Sequence, residues 1–232
     1  MGGSWRRAFT STVIKHNTQL FTEFLTPYNY AIGVKGGSNF VYHTISLEID
    51  RYITRKSSDL KTKPPSRWLI SLDIRNMFNE ISRERALDIL HTHFPQLSHI
   101  ANILLSEPTT CHYMEPNGRW SQFQQEEGLP QGCPFSPVLA ALVLNILIKE
   151  LDLKLRSRAA KRKQNKTLLD DNEGGITNLL AFVDDLNAVV PIEDSLFYCK
   201  TFTQLANNLG LRIREDKSII LTSTVFVLLL WI

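Results

Sequence analysis

The chain has 232 residues, with 26 Lys or Arg against 23 Asp or Glu, so its formal net charge is +3, and 43% of its residues are apolar. This composition is ordinary for a globular protein and excludes a disordered, collagen-like or acidic-tail protein. The length suffices for one large domain or two small ones, each with a sizeable core.

The cysteines and the apolar stretches indicate the compartment. Cys111, Cys133 and Cys199 are far apart and show no CxxC spacing, which excludes a disulfide framework or a zinc knuckle and favours a reducing, intracellular compartment. The first ten residues lack the apolar region of a secretory signal. The most apolar stretch, 225–232, is far shorter than the ~20 residues that cross a bilayer, so no membrane partner is expected.

Apolar residues at helical spacing, or in one continuous run, predict six helices. They cover 7–25, a stretch from Ser38 to 53, a stretch after Ser82, and then 97–105, 138–151 and 193–209.

The β-forming residues lie between these helices. They predict a buried strand over 68–74, a hairpin over 109–125 around Asn117-Gly118, a hairpin over 179–190, and a strand that begins at 211–213. The order of elements is not a strict βαβ alternation. It predicts an α+β fold with an antiparallel sheet.

Three carboxylates stand at the ends of predicted strands. Asp73 ends the first strand, and Asp184 and Asp185 occupy the turn of the second hairpin. Charges beside a core are costly unless they are paired or bound to a metal, and converging carboxylates need a cation to relieve their repulsion. Mg²⁺ takes such ligands, and two ions would clamp an in-line phosphoryl transfer. For Asp184-Asp185 alone, an ordinary turn is the simpler interpretation.

Five stretches, in the right order, resemble the motifs of reverse transcriptases, and the likeness is to the non-LTR retroelement and group II intron types. It covers roughly residues 2–221. Motif A is matched by Leu72-Asp73-Ile74-Arg75-Asn76-Met77-Phe78-Asn79, motif B by Leu129-Pro130-Gln131-Gly132 with Ser136-Pro137, motif C by Phe182-Val183-Asp184-Asp185, motif D by Leu209-Gly210-Leu211 with Lys217-Ser218, and the fingers motif before A by Gly33 with Gly36-Gly37.

The resemblance implies a right-hand polymerase fold with fingers and palm, in which helices back an antiparallel palm sheet. Partial fingers would occupy 1–66, and the palm with motifs A to D would occupy 67–221, including an insertion at about 149–176. Residues 222–232 would form an apolar tail outside the family. The resemblance includes neither the fingers strands that precede this region in the family nor a thumb after Leu221, so we expect the chain to be a truncated retroelement relic.

The implied activity is that of an RNA-directed DNA polymerase, which transfers a deoxynucleotidyl group to a primer 3′-hydroxyl. Its partners would be an RNA template, a DNA primer and a dNTP, and its cofactors two Mg²⁺ ions, with Mn²⁺ as the alternative. A nuclear location follows by analogy only. The rival interpretations are an inactive remnant that binds nucleic acid at most, and an RNA-dependent RNA polymerase.

The resemblance also assigns roles to single residues. Asp73 and Asp184 would be the principal metal ligands, the Ile74 carbonyl would complete one site, and Asp185 would be a supporting carboxylate. Phe78 would be the steric gate under the sugar of the incoming nucleotide.

The remaining assignments concern motifs B and D. Gln131 and Gly132 would pack against the incoming nucleotide and the template, and Lys217 would protonate the leaving pyrophosphate. Without the resemblance, Phe78 is a core aromatic, Gly132 a helix-entry glycine and Lys217 a solvated cation.

A basic stretch follows the apolar run that begins at Val138. Its eight cations either contact a phosphate backbone or belong to a solvated insertion, and the insertion is slightly favoured. They are Lys149, Lys154, Arg156, Arg158, Lys161, Arg162, Lys163 and Lys166.

Overall fold

The computed structural model describes residues 3–52, 67–165, 177–222 and 226–228. Within these residues there are seven strands and seven α-helices, together with single 3₁₀ turns at Pro95–Leu97 and Glu215–Lys217. The strands are β1 (Arg67–Leu72), β2 (Thr109–Met114), β3 (Trp120–Gln125), β4 (Asn178–Phe182), β5 (Asp185–Pro191), β6 (Ile219–Leu221) and β7 (Phe226–Leu228). The helices are α1 (Ser4–Leu25), α2 (Gly37–Tyr52), α3 (Met77–Glu80), α4 (Arg83–His93), α5 (Ser98–Leu105), α6 (Phe135–Asn165) and α7 (Ile192–Asn208).

The main sheet has five strands in the order β4-β5-β1-β6-β7, and all neighbouring strands are antiparallel. Strand β1 lies in the centre, where Leu72 pairs with Leu186 of β5 and Ile70 pairs with Ile220 of β6. Strands β2 and β3 form a separate two-stranded hairpin. The predicted α+β fold with an antiparallel sheet backed by helices is therefore confirmed.

Local sequence explains how several elements begin and turn. The Ser82 hydroxyl accepts a hydrogen bond from the Arg85 amide (3.3 Å), the N-cap that starts α4. In the hairpin, Gly118 has a φ of +82°, a backbone conformation that glycine adopts without a steric penalty. The Asn117 side chain accepts from the Arg119 amide (2.8 Å), which stabilises the loop between β2 and β3.

The core lies between the main sheet and the helices, with α6 at its centre. Helix α6 packs against α1, α4 and α7, and its residues from Val138 to Leu144 are all buried. This explains why a run that is apolar all round forms a helix. Tyr198 and Phe202 of α7 and Phe21 of α1 are completely buried, and each such side chain contributes roughly 1.5–3 kcal/mol by leaving water.

Two sequence predictions are wrong in detail. No strand starts at Leu211–Ile213, where Ile213 forms a single bridge to Ile74, and the strand of this region is β6 at Ile219–Leu221. The backbone here instead bonds to the segment after β1, with Arg214 N donating to Asp73 O (2.7 Å). The helix predicted for 138–151 continues to Asn165, because its basic half packs on α7.

Part of the apolar C-terminal stretch belongs to the sheet. Residues 226–228 form β7, which pairs with β6 in the register Ile220 to Val227. Residues 53–66, residues 166–176 of the predicted insertion, and residues 223–225 and 229–232 of the predicted tail lie outside the described residues. None of the described helices is long and apolar enough to cross a membrane.

Candidate active site

Three aspartates meet where neighbouring strands of the main sheet end. Strand β1 ends at Leu72, which pairs with Leu186, and one residue beyond this pair stand Asp73 on one side and Asp185 on the other. Asp184 precedes Asp185 in the turn between β4 and β5. Pairing of β1 with β5 therefore brings together carboxylates that are more than a hundred positions apart in the sequence.

The turn that carries Asp184 is held in an unusual conformation. Val183 has a φ of +56°, in the left-handed region where a β-branched residue is strained. The fully buried Asn29 stabilises this turn by donating from Nδ2 to the Val183 carbonyl oxygen (3.0 Å). Asn29 is itself oriented, because its Oδ1 accepts from the Ala31 amide (3.1 Å). No sequence pattern marks Asn29, which stands between two tyrosines in the segment before Gly33.

The segment after α7 holds the backbone of Asp73 through hydrogen bonds. The Asp73 amide donates to the hydroxyl of Ser218 (3.1 Å), and this buried hydroxyl donates to the Arg214 carbonyl oxygen (2.8 Å). Arg214 N in turn donates to Asp73 O (2.7 Å). Ser218 was quoted in the motif D resemblance without a role, and the structure gives it a positioning role.

The electrostatics of the three carboxylates favour a cation. Burial raises the pKa of Asp184, and the negative charge of Asp73 raises it further. The pKa of Asp185 is raised by burial and then by the charges of Asp184 and Asp73. Converging carboxylates that resist ionisation are the hard oxygen donors that suit a divalent ion.

Among the described residues, no group of three or more His, Cys, Asp or Glu side chains is placed so that it could hold a metal ion by itself. A cation held by these aspartates therefore needs further ligands, for which the Ile74 carbonyl and substrate phosphates are the candidates.

Phe78 and the motif B loop are joined by backbone hydrogen bonds. Phe78 lies in α3, partly buried against the core, and its carbonyl accepts from the Leu129 amide (2.6 Å). The Gly128 amide donates to the Ile81 carbonyl (3.1 Å), and a Cβ at Gly128 would lie 2.5 Å from the Asn79 carbonyl oxygen. The loop therefore approaches α3 so closely that only glycine fits at position 128.

Arg83, which no sequence pattern marks either, holds the same loop in place through hydrogen bonds. This buried residue donates from Nε to the Gly128 carbonyl (2.8 Å) and from Nη1 to the Glu107 carbonyl (2.8 Å). Its Nη2 donates to the Thr109 hydroxyl (3.1 Å), so one guanidinium joins the loop to the base of β2.

Gln131 and Gly132 lie exposed beyond this anchored part of the loop. Gln131 Nε2 donates to the Asn79 side chain (3.5 Å), next to Phe78 in the chain. Gly132 has a φ of +79°, and its carbonyl accepts from Arg7 Nε of α1 (3.2 Å). Of the predicted nucleotide-binding residues, Phe78 and Gln131 therefore lie at α3, whereas Gly132 contacts α1.

Lys217 ends the 3₁₀ turn Glu215–Lys217 and is exposed. It lies between Arg214 and Ser218, the two residues that bond to the backbone of Asp73. Lys217 therefore belongs to the segment that holds the backbone of Asp73. Among the described residues, no hydrogen bond or ion pair joins the Lys217 side chain to the three aspartates.

Most of the described cations in the basic stretch of α6 are engaged within the protein. Arg158 pairs with the buried Asp194 (2.8 Å), and Arg162 pairs with Glu193 (2.9 Å), both at the start of α7. Lys149 lies over the ring of Phe24, 3.7 Å from its centroid. These contacts join α6 to α7 and α1, and the two sequence interpretations, phosphate contact or a solvated insertion, stay predictions.

Comparison with known proteins agrees with this geometry. The sequence matches the family model described as reverse transcriptase (RNA-dependent DNA polymerase) over residues 2–230. The match extends past Leu221 and includes β7, so the likeness is longer than the motifs alone indicate. No curated protein sequence matches the chain.

Several solved telomerase structures are similar in fold. Apo telomerase from Candida tropicalis aligns with a TM-score of 0.59 and 10% identity over 94% of this chain and 37% of that chain. Apo telomerase from the same organism, truncated from the C-terminal domain, aligns with a TM-score of 0.60 and 13% identity over 94% of this chain and 41% of that chain. Telomerase from Candida albicans in complex with a TWJ fragment of telomeric RNA aligns with a TM-score of 0.55 and 13% identity over 96% of this chain and 34% of that chain.

This chain spans between 34% and 41% of the length of those three chains, and at such identity the likeness shows the fold alone. The family model is the stronger finding because it covers nearly all of the sequence. Together with strand-end aspartates on an antiparallel sheet, it shows that the chain belongs to the reverse transcriptase (RNA-dependent DNA polymerase) family.

Proposed function

We propose that the chain acts as the catalytic part of an RNA-directed DNA polymerase of the non-LTR retroelement or group II intron type. It would add deoxynucleotides to the 3′-hydroxyl of a DNA primer along an RNA template. The observation that carries this proposal is the meeting of Asp73, Asp184 and Asp185 at the ends of paired strands, where burial and then the neighbouring negative charges raise the pKa values of Asp184 and Asp185.

Asp73 and Asp184, with the Ile74 carbonyl, would hold divalent cations, and Asp185 would support them. Mg²⁺ fits this donor set, and Mn²⁺ is the alternative. When bound, such ions stabilise the charge on the attacking and leaving oxygens of a phosphoryl transfer. The contribution of the chain itself is rigidity, because Asn29 holds the turn of Asp184 and Ser218 holds the backbone of Asp73.

The surrounding residues would position the substrates. Phe78 would lie under the sugar of the incoming dNTP and exclude a 2′-hydroxyl, which favours deoxynucleotides over ribonucleotides. Gln131 and Gly132 would contact the nucleotide and the template from the motif B loop. Lys217 would donate a proton to the leaving pyrophosphate from the segment beside Asp73.

The test is primer extension by the purified chain on an RNA template with dNTPs and Mg²⁺. Asp73→Asn and Asp184→Asn should lose the activity, whereas Asp88→Asn, which changes an exposed aspartate on α4, should keep it. Extension that survives in either site variant would contradict the site. Preferred use of ribonucleotides would favour an RNA polymerase, and nucleic-acid binding without extension by the unaltered chain would favour an inactive remnant.

A further inference from the structure

A cavity of about 570 Å³ opens beside the motif B loop. It lies between the first turn of α1, the β2–β3 hairpin, α3 and the loop itself. Its walls include Arg6, Asn79, Phe123, Gln131 and the two cysteines Cys111 and Cys133. Because Gln131 lines it, the cavity is continuous with the surface assigned to the nucleotide and template.

Two charged side chains line this cavity, the guanidinium of Arg6 and the carboxylate of Glu127. Arg6 donates from Nη2 to the Leu104 carbonyl (3.1 Å), but its buried Nε has no acceptor among the described residues. Burial lowers the pKa of Arg83, the negative charge of Glu127 raises it, and the positive charge of Arg6 lowers it, so these three charged groups lie near one another. Glu127, the acid on the wall, already accepts from the Arg83 amide (3.1 Å). A guanidinium with an unused donor in such surroundings favours an anion such as a phosphate.

The opposite wall offers an aromatic face and polar groups. Phe123 is 53% exposed, and its ring centroid lies 6.2 Å from that of Tyr113 on the same face of the hairpin. Gln125, Gln131 and Asn79 add amide groups. A flat apolar ring beside amide donors and acceptors is the surface on which unpaired nucleobases stack and form hydrogen bonds.

We propose that this cavity, which we call the hairpin cavity, receives the first unpaired nucleotide of the RNA template beyond the base that pairs with the incoming dNTP. Its base would stack on Phe123, and its phosphate would bind Arg6. The inference rests on the proposed function, because it needs a template that runs past Gln131. It assigns to the β2–β3 hairpin a role in holding the single-stranded template.

The reactivity of the native cysteines shows whether the hairpin cavity is occupied. Cys111 and Cys133 line the cavity and are partly exposed, whereas Cys199 is buried and burial raises its pKa to about 11. The purified chain is treated with N-ethylmaleimide, and alkylation of each cysteine is followed by mass spectrometry. The chain is tested with a DNA primer on an RNA template that has a 5′ overhang and with a blunt duplex of the same length.

The overhanging template at ten times its Kd should slow alkylation of Cys111 and Cys133 roughly tenfold, in proportion to the fraction bound. The blunt duplex should leave the rate at Cys111 unchanged, and Cys199 should react slowly throughout. Equal protection by both duplexes, or no protection by a bound overhang, overturns the inference.

Two variants test the named contacts in binding assays. Phe123→Ala should weaken binding of the overhanging template roughly five- to a hundredfold through loss of one stacked base, with no change for the blunt duplex. Trp120→Ala is the matched control, because Trp120 is also exposed but lies on the other face of the hairpin. Arg6→Gln should reduce the salt dependence of overhang binding by about one counterion, whereas Arg119→Gln in the hairpin loop should not. Equal losses in test and control variants contradict the inference.

Primer extension measured on the same samples separates the two proposals. Extension without overhang-dependent protection rejects the hairpin cavity as a template site and leaves the polymerase assignment intact. Protection without extension rejects the activity and leaves the cavity assignment intact. If the chain binds neither duplex, both proposals are wrong.

Discussion

Asn29 donates a hydrogen bond across 154 positions of the chain to the carbonyl oxygen of Val183, the residue that precedes Asp184. Asn29 is completely buried, and Val183 has a φ of +56°. The segment between α1 and α2 therefore maintains the backbone conformation from which Asp184 projects.

Replacing Asn29 should damage both stability and activity. Asn29→Ala leaves the Val183 carbonyl without its donor, which should cost roughly 1–3 kcal/mol of the free energy of unfolding, measured by urea denaturation. Primer extension should fall because the turn of Asp184 relaxes. Asn17→Ala, which removes a buried asparagine whose Nδ2 donates within α1 (2.8 Å), should lower stability and leave extension by the folded protein unchanged. Equal activity in the two variants would contradict the role of Asn29.

The aspartates should be indispensable for any polymerase activity. Asp73→Asn or Asp184→Asn removes a ligand of the cations that stabilise the transition state, and the expected loss in kcat is at least ~10³-fold. Single-turnover primer extension in Mg²⁺ measures it. A loss below tenfold in either variant would exclude that residue as a principal ligand.

The raised pKa values of Asp184 and Asp185 predict how stability depends on pH. A folded-state pKa above the unfolded value means that folding favours the protonated form, so this contribution is full at acid pH and is lost as the pH rises through the folded pKa. Without divalent ions, Asp184→Asn should therefore unfold at a higher temperature than the unaltered chain at neutral pH. The difference should shrink as the pH falls towards the ordinary range of aspartate, ~3.9.

Asp216→Asn is the control, and its effect on stability should be opposite to that of Asp184→Asn, because a hydrogen bond from Arg214 lowers the pKa of Asp216. This variant should be slightly less stable at neutral pH. Added Mg²⁺ should raise the melting temperature of the unaltered chain more than that of Asp184→Asn. Destabilisation by Asp184→Asn at neutral pH without metal would contradict the electrostatic account.

Phe78 should select the sugar. Phe78→Val should admit ribonucleotides by removing the clash with the 2′-hydroxyl, while dNTP incorporation stays within roughly tenfold. The measurement is kcat/KM for matched dNTP and rNTP pairs. If the ratio of the two values does not change, Phe78 serves only to pack α3 against the core.

Gly128 should tolerate no side chain. Gly128→Ala places a Cβ 2.5 Å from the Asn79 carbonyl oxygen at a φ of +77°, so roughly 2–5 kcal/mol of stability should be lost. Gly118→Ala is the matched control, because its φ is +82° but nothing lies within 4 Å of the added Cβ. It should lose only roughly 1–2 kcal/mol. Chemical denaturation of both variants compares them, and equal losses would mean that contact with α3 is unimportant.

The sequence by itself determined the elements and the order of the motifs. Apolar spacing predicted the helices, Ser82 the start of α4, and Asn117-Gly118 the hairpin, because capping and turn formation depend on neighbouring residues. The aspartates were identified in the same way, as charges that interrupt apolar strands. The roles assigned to Phe78, Gln131, Gly132 and Lys217 came from motif resemblance and stay predictions.

Only the tertiary structure decided which distant groups meet. Asn29 and Ser218 hold the aspartate backbones over 154 and 145 positions, and no local pattern marks a residue whose partner is so far away. The basic half of α6 showed the same limit, because a cation paired with the buried Asp194 has the same sequence signature as one that faces solvent. Long-range pairing depends on how the sheet and helices pack, and that packing, rather than the composition of any segment, orients the site.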